Sequence, residues 1–324
     1  MKAVLCTRYC RPEELEIGEL PDPVAGAGEA VVRVKAAALN FFDTLIIAGK
    51  YQTKPAFPFS PAAEFAGVVE SVGPGVTAVA PGDRVAGNIG YGAAREKVAV
   101  AADRLAKLPE KLDFDRAAGL IVTYGTGHYA LKRRAQLRAG ETLAVLGAAG
   151  GIGLAAIELG KLMGARVIAA ASSDEKLDLA RAHGADMAIN YAKEDLKEAL
   201  RRATAGQGPD VIYDPVGGSY AEAALRALAL GGRFLVLGFA AGEIPKIPLN
   251  IVLLKDCDVR GVHWGAWVER DRAGYRAQLD ELMRWCAEGK LRVHVQKVYP
   301  LERIAAALHA LADRKVMGKV IVRP

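Results

Sequence analysis

Residues 143–165 read LAVLGAAGGIGLAAIELGKLMGA. Thr142 to Leu146 is short and apolar, the pattern of a strand buried on both faces. Gly147 to Gly153 is a glycine loop, and Leu154 to Met163 has helical spacing. Strand, glycine turn and helix follow in the order a dinucleotide site requires. Ala148-x-Gly150-x-x-Gly153 is the G-x-G-x-x-G fingerprint with alanine in its first slot. Read as G-x-x-G-x-x-G, the same stretch uses Gly147, Gly150 and Gly153. Missing Cβ atoms let the backbone turn tightly and let a pyrophosphate approach. Gly151 and Ile152 then open a helix whose free N–H groups and positive dipole face the phosphates.

Working outward, Arg166 to Ala171 is a second strand, ending in Ser172-Ser173. An NAD site places a carboxylate at this tip to accept from the ribose 2′-hydroxyl. Here Asp174 and Glu175 fall later, at the expected start of the next helix, with Ser173 as its N-cap and Lys176 close by. Missing repulsion plus a lysine favours a 2′-phosphate, hence NADPH over NADH. Further strands are expected at 187–191, 209–214, 233–238 and 258–264, with helices at 174–182, 196–204 and 220–230 between them. Strands alternating with helices mean βαβ units and a doubly wound parallel sheet, an α/β fold.

The flanks read differently. Residues 1 to about 122 are short β segments broken by Pro74-Gly75 and Pro81-Gly82-Asp83. The tail, with an amphipathic helix at 274–289 and a closing strand at 318–322, is expected to rejoin that first domain. The expected division is 1–122 with 266–324, and 123–265.

With 324 residues, 52% apolar and 25% charged, the chain is neither disordered nor fibrous. Its formal charge of +6 is diffuse and suits anionic small molecules. No basic stripe interleaved with aromatics appears, which argues against nucleic acid as a partner. Cys6, Cys10, Cys257 and Cys286 form no C-x-x-C pair, so neither a disulfide scaffold nor a four-cysteine zinc knot is expected. No membrane span or leader stretch is read, and a cytoplasmic location is the expectation.

The stretches Ala38-Leu39-Asn40-Phe41-Phe42-Asp43, Gly49-Lys50-Tyr51, Pro58 to Val69, Gly82-Asp83-Arg84-Val85, Gly147 to Gly153 and Val236-Leu237-Gly238-Phe239 together carry a family resemblance over nearly the whole chain. The sequence resembles the zinc-independent quinone oxidoreductase branch of the medium-chain dehydrogenases/reductases, which includes zeta-crystallin. The resemblance implies a GroES-like, mostly β catalytic domain and a Rossmann domain, with the active site in the cleft between them. It also implies a homodimer or a dimer of dimers joined through the Rossmann domains. Asn40, Asp43 and Tyr51 would line the substrate end. Thr126, Gly238 and Phe239 would meet the nicotinamide, Ser172, Lys176 and Tyr191 the 2′-phosphate, and Asn250 would close over the cofactor. Asp43 can equally cap a helix, and Tyr51 can be a packed rim aromatic. The family commonly has glycine where Ala62 stands, and related reductases often have glycine where Ser172 stands.

Zinc-dependent relatives place cysteine and a His-Glu pair where this chain has Asn40 and Ala63-Glu64, so no zinc is expected. Without a Lewis acid, hydride transfer favours an acceptor that is already electron-poor. A quinone fits, and so does an enone or enoyl thioester; the sequence leaves both open. A third reading is a cofactor-binding protein with weak turnover that binds nucleic acid.

Overall fold

The computed structural model describes residues 1–324 and divides into two compact units, residues 1–122 with 271–324, and residues 123–270. In chain order the first unit opens with β1 (Lys2–Leu5), β2 (Glu16–Glu19), β3 (Glu29–Leu39), α1 (Phe41–Ile47), β4 (Glu64–Val72), β5 (Arg84–Asn88), β6 (Lys97–Ala101), β7 (Leu105–Lys107) and α2 (Phe114–Ala118), and α3 (Ile121–His128) carries the chain across into the second. The second unit contains β8 (Thr142–Leu146), α4 (Gly151–Leu162), β9 (Arg166–Ala171), α5 (Asp174–Ala182), β10 (Met187–Asn190) and α6 (Leu196–Ala203). It continues with β11 (Val211–Asp214), α7 (Ser219–Ala227), β12 (Arg233–Val236), α8 (Leu249–Lys255), β13 (Asp258–Gly261) and α9 (Trp264–Arg270). The chain returns to the first unit through α10 (Arg272–Ala287), β14 (Val295–Pro300), α11 (Ile304–Ala312) and β15 (Lys319–Arg323).

In the first unit the long strand β3 organises the sheet. It pairs antiparallel with β4 along one edge; β6 takes its Glu29–Arg33 half and β15 its Ala37–Leu39 half on the other. The C-terminal strand therefore lands beside the residues that precede Asn40. Val32, Leu39, Phe65, Val85, Leu301, Leu308 and Val322 share its core.

The second unit is a six-stranded parallel sheet in the order β10-β9-β8-β11-β12-β13. The strand order reverses between β8 and β11, the position where doubly wound sheets open a ligand crevice beyond their carboxyl ends. The core under one face is built from small and branched residues such as Ala144, Ile168, Ala170, Ile212 and Leu225.

Three elements depart from the sequence reading. The sixth strand stops at Gly261, because Trp264 already opens α9. Trp267 of that helix stacks on Tyr129 at 4.9 Å and lies under the Arg133 guanidinium at 5.0 Å. That stack keeps α9 with the second unit, so the return crossing falls after Arg270. Residues 117–131, whose spacing reads as a single helix, are instead interrupted at Gly119, and after α3 the backbone widens into a π-type turn over 129–135 that closes at Gln136 with φ 51. No helix is long and apolar enough to cross a membrane.

Candidate functional site

The glycine loop leaves β8 and enters α4 directly. Gly147 adopts φ +60, a left-handed conformation that favours glycine, and a Cβ there would also meet Val216 at 2.9 Å. A Cβ on Gly153 would lie 2.4 Å from the Gly147 carbonyl oxygen. Gly150 differs: it is the N-cap of α4, and the nearest heavy atom to its Cβ position is 3.5 Å away. The protein itself therefore does not demand glycine at 150. No side chain caps α4, so the first-turn N–H groups of Gly151, Ile152 and Gly153 have neither an intrahelical nor a capping partner. A cradle that the first and last glycines shape and the middle one leaves open fits a dinucleotide pyrophosphate.

At the tip of β9, Lys176 Nζ donates to Ser172 Oγ at 3.3 Å, while Ser173 caps α5 by accepting from the Lys176 backbone N–H. Asp174 is committed elsewhere: it accepts from Asn190 at 2.7 Å and Lys193 at 2.6 Å, and these partners hold its carboxyl below the usual range. Tyr191 follows directly after β10 and packs its ring on Tyr220 at 4.4 Å. The structure thus brings Ser172, Lys176 and Tyr191 to neighbouring strand ends, with Asp174 already paired.

Gly238 and Phe239 follow β12 and lie over the loop after β11. Phe239 covers Gly217, and Pro215 accepts from the Ala240 N–H at 3.1 Å. Thr126 is half-buried on α3. Asn250 stands apart from these residues, on the exposed side of α8 in a shallow hollow with Lys197, Arg226, Leu254 and Lys255.

The first unit holds a separate polar cluster. Lys319 Nζ, at the start of β15, donates to Asn40 Oδ1 at 2.6 Å, Glu64 Oε1 at 2.8 Å and the Leu39 carbonyl at 3.2 Å. Asn40 Nδ2 donates to Glu64 Oε1 at 3.0 Å, and Glu64 Oε2 accepts from the Val122 N–H at 2.7 Å. Asp43 is fully buried; its two oxygens accept from the backbone N–H groups of Asn40 at 2.7 Å and Ala62 at 3.1 Å. Burial pushes Asp43 up to about 7, against the opposing pull of those N–H groups and Lys319. Asp43 caps α1 and ties that helix to the 61–63 segment. Asn40 keeps one Nδ2 hydrogen beyond its bond to Glu64. Tyr51 is half-buried and stacked on Phe42 at 5.5 Å, and burial raises its hydroxyl above the ordinary tyrosine value.

Lys319, and a buried polar pairing in the second unit, were not singled out by sequence reasoning. Lys319 is a lone lysine opening an apolar strand, and only the pairing of β15 with β3 brings it to Asn40. In the second unit Glu158 is buried between Tyr124 Oη at 2.9 Å and His183 Nδ1 at 2.7 Å, a pairing that α4, α3 and the end of α5 assemble from distant sequence.

Comparison with known proteins is informative at this point. The alcohol dehydrogenase GroES-like domain family matches residues 26–110, and the zinc-binding dehydrogenase family matches residues 151–288. Quinone oxidoreductase-like protein 2 from Bos taurus is 38% identical over 322 residues, 99% of this chain and 92% of its own length. Quinone oxidoreductase from Pseudomonas aeruginosa is 34% identical, covering 100% of this chain and 99% of its own. The crystal structure of Escherichia coli quinone oxidoreductase complexed with NADPH superposes with TM-score 0.94 at 30% identity, covering both chains fully at 100%. The chain belongs to the quinone oxidoreductase branch of the medium-chain dehydrogenases/reductases. It is an oxidoreductase of that family, with the expected α/β fold of a Rossmann sheet plus a GroES-like unit.

One family description carries zinc, and the residues of this chain do not fit that ion. No group of three or more His, Cys, Asp or Glu is arranged to hold a metal. At the polar cluster an ammonium group, Lys319 Nζ, already sits against Asn40 and Glu64, and the remaining carboxylate oxygens accept from backbone N–H groups.

Proposed function

We propose that this reductase transfers hydride from NADPH to a quinone. The observation that carries the cofactor choice is the meeting of Lys176 and Ser172 at the β9 tip, with Asp174 tied to Asn190 and Lys193. A 2′-phosphate there gains charge-assisted hydrogen bonds, and Asp174 already has partners of its own. The N–H groups of Gly151, Ile152 and Gly153 would hold the pyrophosphate, with Gly147 and Gly150 letting it approach. Thr126, Gly238 and Phe239 are the proposed neighbours of the nicotinamide. Asn250 is not assigned to the cofactor in this reading, given its place on α8.

NADPH, when bound, supplies the hydride. The residues of the chain have two tasks: to orient the acceptor and to stabilise the oxygen on which negative charge develops. The free Nδ2 hydrogen of Asn40 and the hydroxyl of Tyr51 are suited to that oxygen. Because burial raises the Tyr51 pKa, its proton is retained at neutral pH and is available to donate. Lys319, Glu64 and Asp43 act as positioning residues that fix the Asn40 side chain and backbone.

The relatives support a quinone as acceptor, and reduction of an enone uses the same parts. We also propose that two copies pair through the β13 edge and α8.

The deciding assay is steady-state oxidation of NADPH and NADH with 1,4-benzoquinone, a cyclic enone and simple alcohols, before and after dialysis against EDTA. Quinone reduction with NADPH preferred, undisturbed by the chelator, is the expected result. Lys176→Ala should narrow the NADPH preference about tenfold, the loss of roughly one charge-assisted hydrogen bond. Metal-dependent alcohol oxidation would overturn the reading.

A further inference from the structure

Cys6 and Cys10 meet just after β1 in the first unit. Their Sγ atoms lie 3.8 Å apart, and the Cys6 thiol also donates to the Arg8 carbonyl at 3.1 Å. The two backbones are pinned separately. The Cys6 N–H donates to the Phe59 carbonyl at 2.7 Å, and the Cys6 carbonyl accepts from the Phe59 N–H at 3.1 Å. The Cys10 N–H donates at 2.9 Å to the carbonyl of Ile47, the last residue of α1. Thr7, Arg8 and Tyr9 between them are exposed. The chain thus makes a short open loop whose anchored ends bring two free thiols together. The other two cysteines stand on other elements: Cys257 follows α8 and Cys286 lies on α10.

The surroundings give the two sulfurs different roles. Cys6 is wholly buried, whereas Cys10 is partly exposed. Burial raises the Cys6 thiol to about 12 and raises Cys10 as well. Against burial, the hydrogen bond between the pair favours a thiolate on Cys10 and disfavours one on Cys6, while the Arg8 charge favours both. Cys10 is therefore the sulfur that ionises first and the one that an oxidant in solution reaches first. A buried thiol alone is inert, but a partner in contact converts its reaction into an intramolecular one.

We propose that Cys6 and Cys10 form a redox-active dithiol, which hydrogen peroxide oxidises to a reversible intramolecular disulfide. Cys10 Sγ takes one oxygen from the peroxide, whose O–O bond breaks, and becomes a sulfenic acid with release of one water. Cys6 Sγ then attacks Cys10 Sγ. The S–S bond forms as the sulfenic oxygen departs with the Cys6 proton as a second water. The two thiols lose two electrons and the peroxide gains them. Closing 3.8 Å to the roughly 2 Å of a disulfide takes side-chain rotation and a shift of the exposed 7–9 loop. Tyr9 of that loop lies against Gly49, where a Cβ would stand 2.8 Å from its ring, so the disulfide is built beside the stretch that leads to Tyr51. The site uses neither the nucleotide cradle nor the acceptor chemistry proposed above.

Trypsin cuts after Arg8 and so places Cys6 and Cys10 on different peptides. In the test, the reduced full-length protein is treated with hydrogen peroxide in native buffer. Catalase then stops the reaction, and the protein is unfolded in N-ethylmaleimide and mapped without reductant. The intact monomer should lose about 2 Da, the two thiol hydrogens. Peptide Ala3–Arg8 should appear linked to the peptide that begins at Tyr9, and dithiothreitol should restore both thiols. Cys10→Ser, at the more exposed position, should form no link and keep Cys6 as a thiol. Should that variant fail to fold, the wild-type map decides alone. Both thiols retained, Cys10 carried to a sulfinic acid without a link, or a link that forms only after unfolding in urea would each overturn the proposal.

Discussion

Gly150 and Gly153 differ in what a methyl group would meet. At Gly153 it would strike the Gly147 carbonyl oxygen at 2.4 Å, and backbone cannot move aside cheaply. At Gly150 it meets nothing closer than 3.5 Å, so the reason for glycine must lie in the ligand. Gly150→Val should therefore fold with a near wild-type Tm and fail to bind NADPH. Gly153→Ala should lower the Tm and lose binding as a consequence. Thermal melts beside fluorescence titration of NADPH check both; a Gly150→Val protein that retains cofactor affinity would remove the pyrophosphate from this loop. Ala62 presents the opposite case. The sequence comparison flagged it only as an alanine where relatives commonly have glycine, and the structure supplies the reason: its φ is 68, in the left-handed region, while it is completely buried and donates to Asp43. An L-residue with a Cβ is strained there by about 1–2 kcal/mol, part of which glycine's greater unfolded-state freedom offsets. Ala62→Gly should raise stability by about 0.5–1 kcal/mol in urea unfolding.

Among the elements, the parallel sheet was legible because each of its strands is bracketed by a helix and the buried strands are continuous apolar runs. The glycine loop was legible because its function constrains local backbone, and local backbone is written in consecutive residues. The polar cluster was legible only in part. Asn40, Asp43 and Glu64 lie close in sequence or in one motif, but Lys319 comes from the other end of the chain, and nothing local marks a lysine destined for a buried site. The same holds for Glu158 and His183. The Asp43 cap on α1 gives a test of the cluster. Its folded pKa is raised to about 7, above the roughly 4 of an unfolded aspartate. A raised carboxyl favours folding in its protonated form, so its contribution is complete below about pH 4 and is lost as pH rises through about 7. Measured as the difference in urea unfolding free energy between the wild-type protein and Asp43→Asn, this contribution should decline from pH 4 to 7 and level off above. A difference that grows with pH across this window would show that the two backbone N–H bonds and Lys319 outweigh burial.

For the whole molecule, the unsatisfied surface is concentrated at one edge of the Rossmann sheet. β13 has a strand neighbour on one side only, and three of its four residues are exposed. Close by in the chain, Leu249, Leu253 and Leu254 of α8 are 78, 79 and 74% exposed, and Ile244 before it is 68% exposed. Isolated apolar residues at a surface mean little, but a cluster beside an open sheet edge is a site for pairing or for aggregation. A second copy related by two-fold symmetry answers both needs at once, since the same edge and the same leucines meet their own counterparts. Leu253→Asp places two charges in such an interface, one per subunit, and removes two apolar contacts from it. Sedimentation velocity should show the wild-type chain as a dimer or a dimer of dimers, and Leu253→Asp shifted toward the monomer at micromolar concentration. Because Leu253 is exposed and lies outside the glycine loop, the folded state should survive the change, and far-UV circular dichroism separates dissociation from unfolding. A wild-type monomer, or an aspartate variant with unchanged assembly, would assign the edge and its leucines to something other than a second copy.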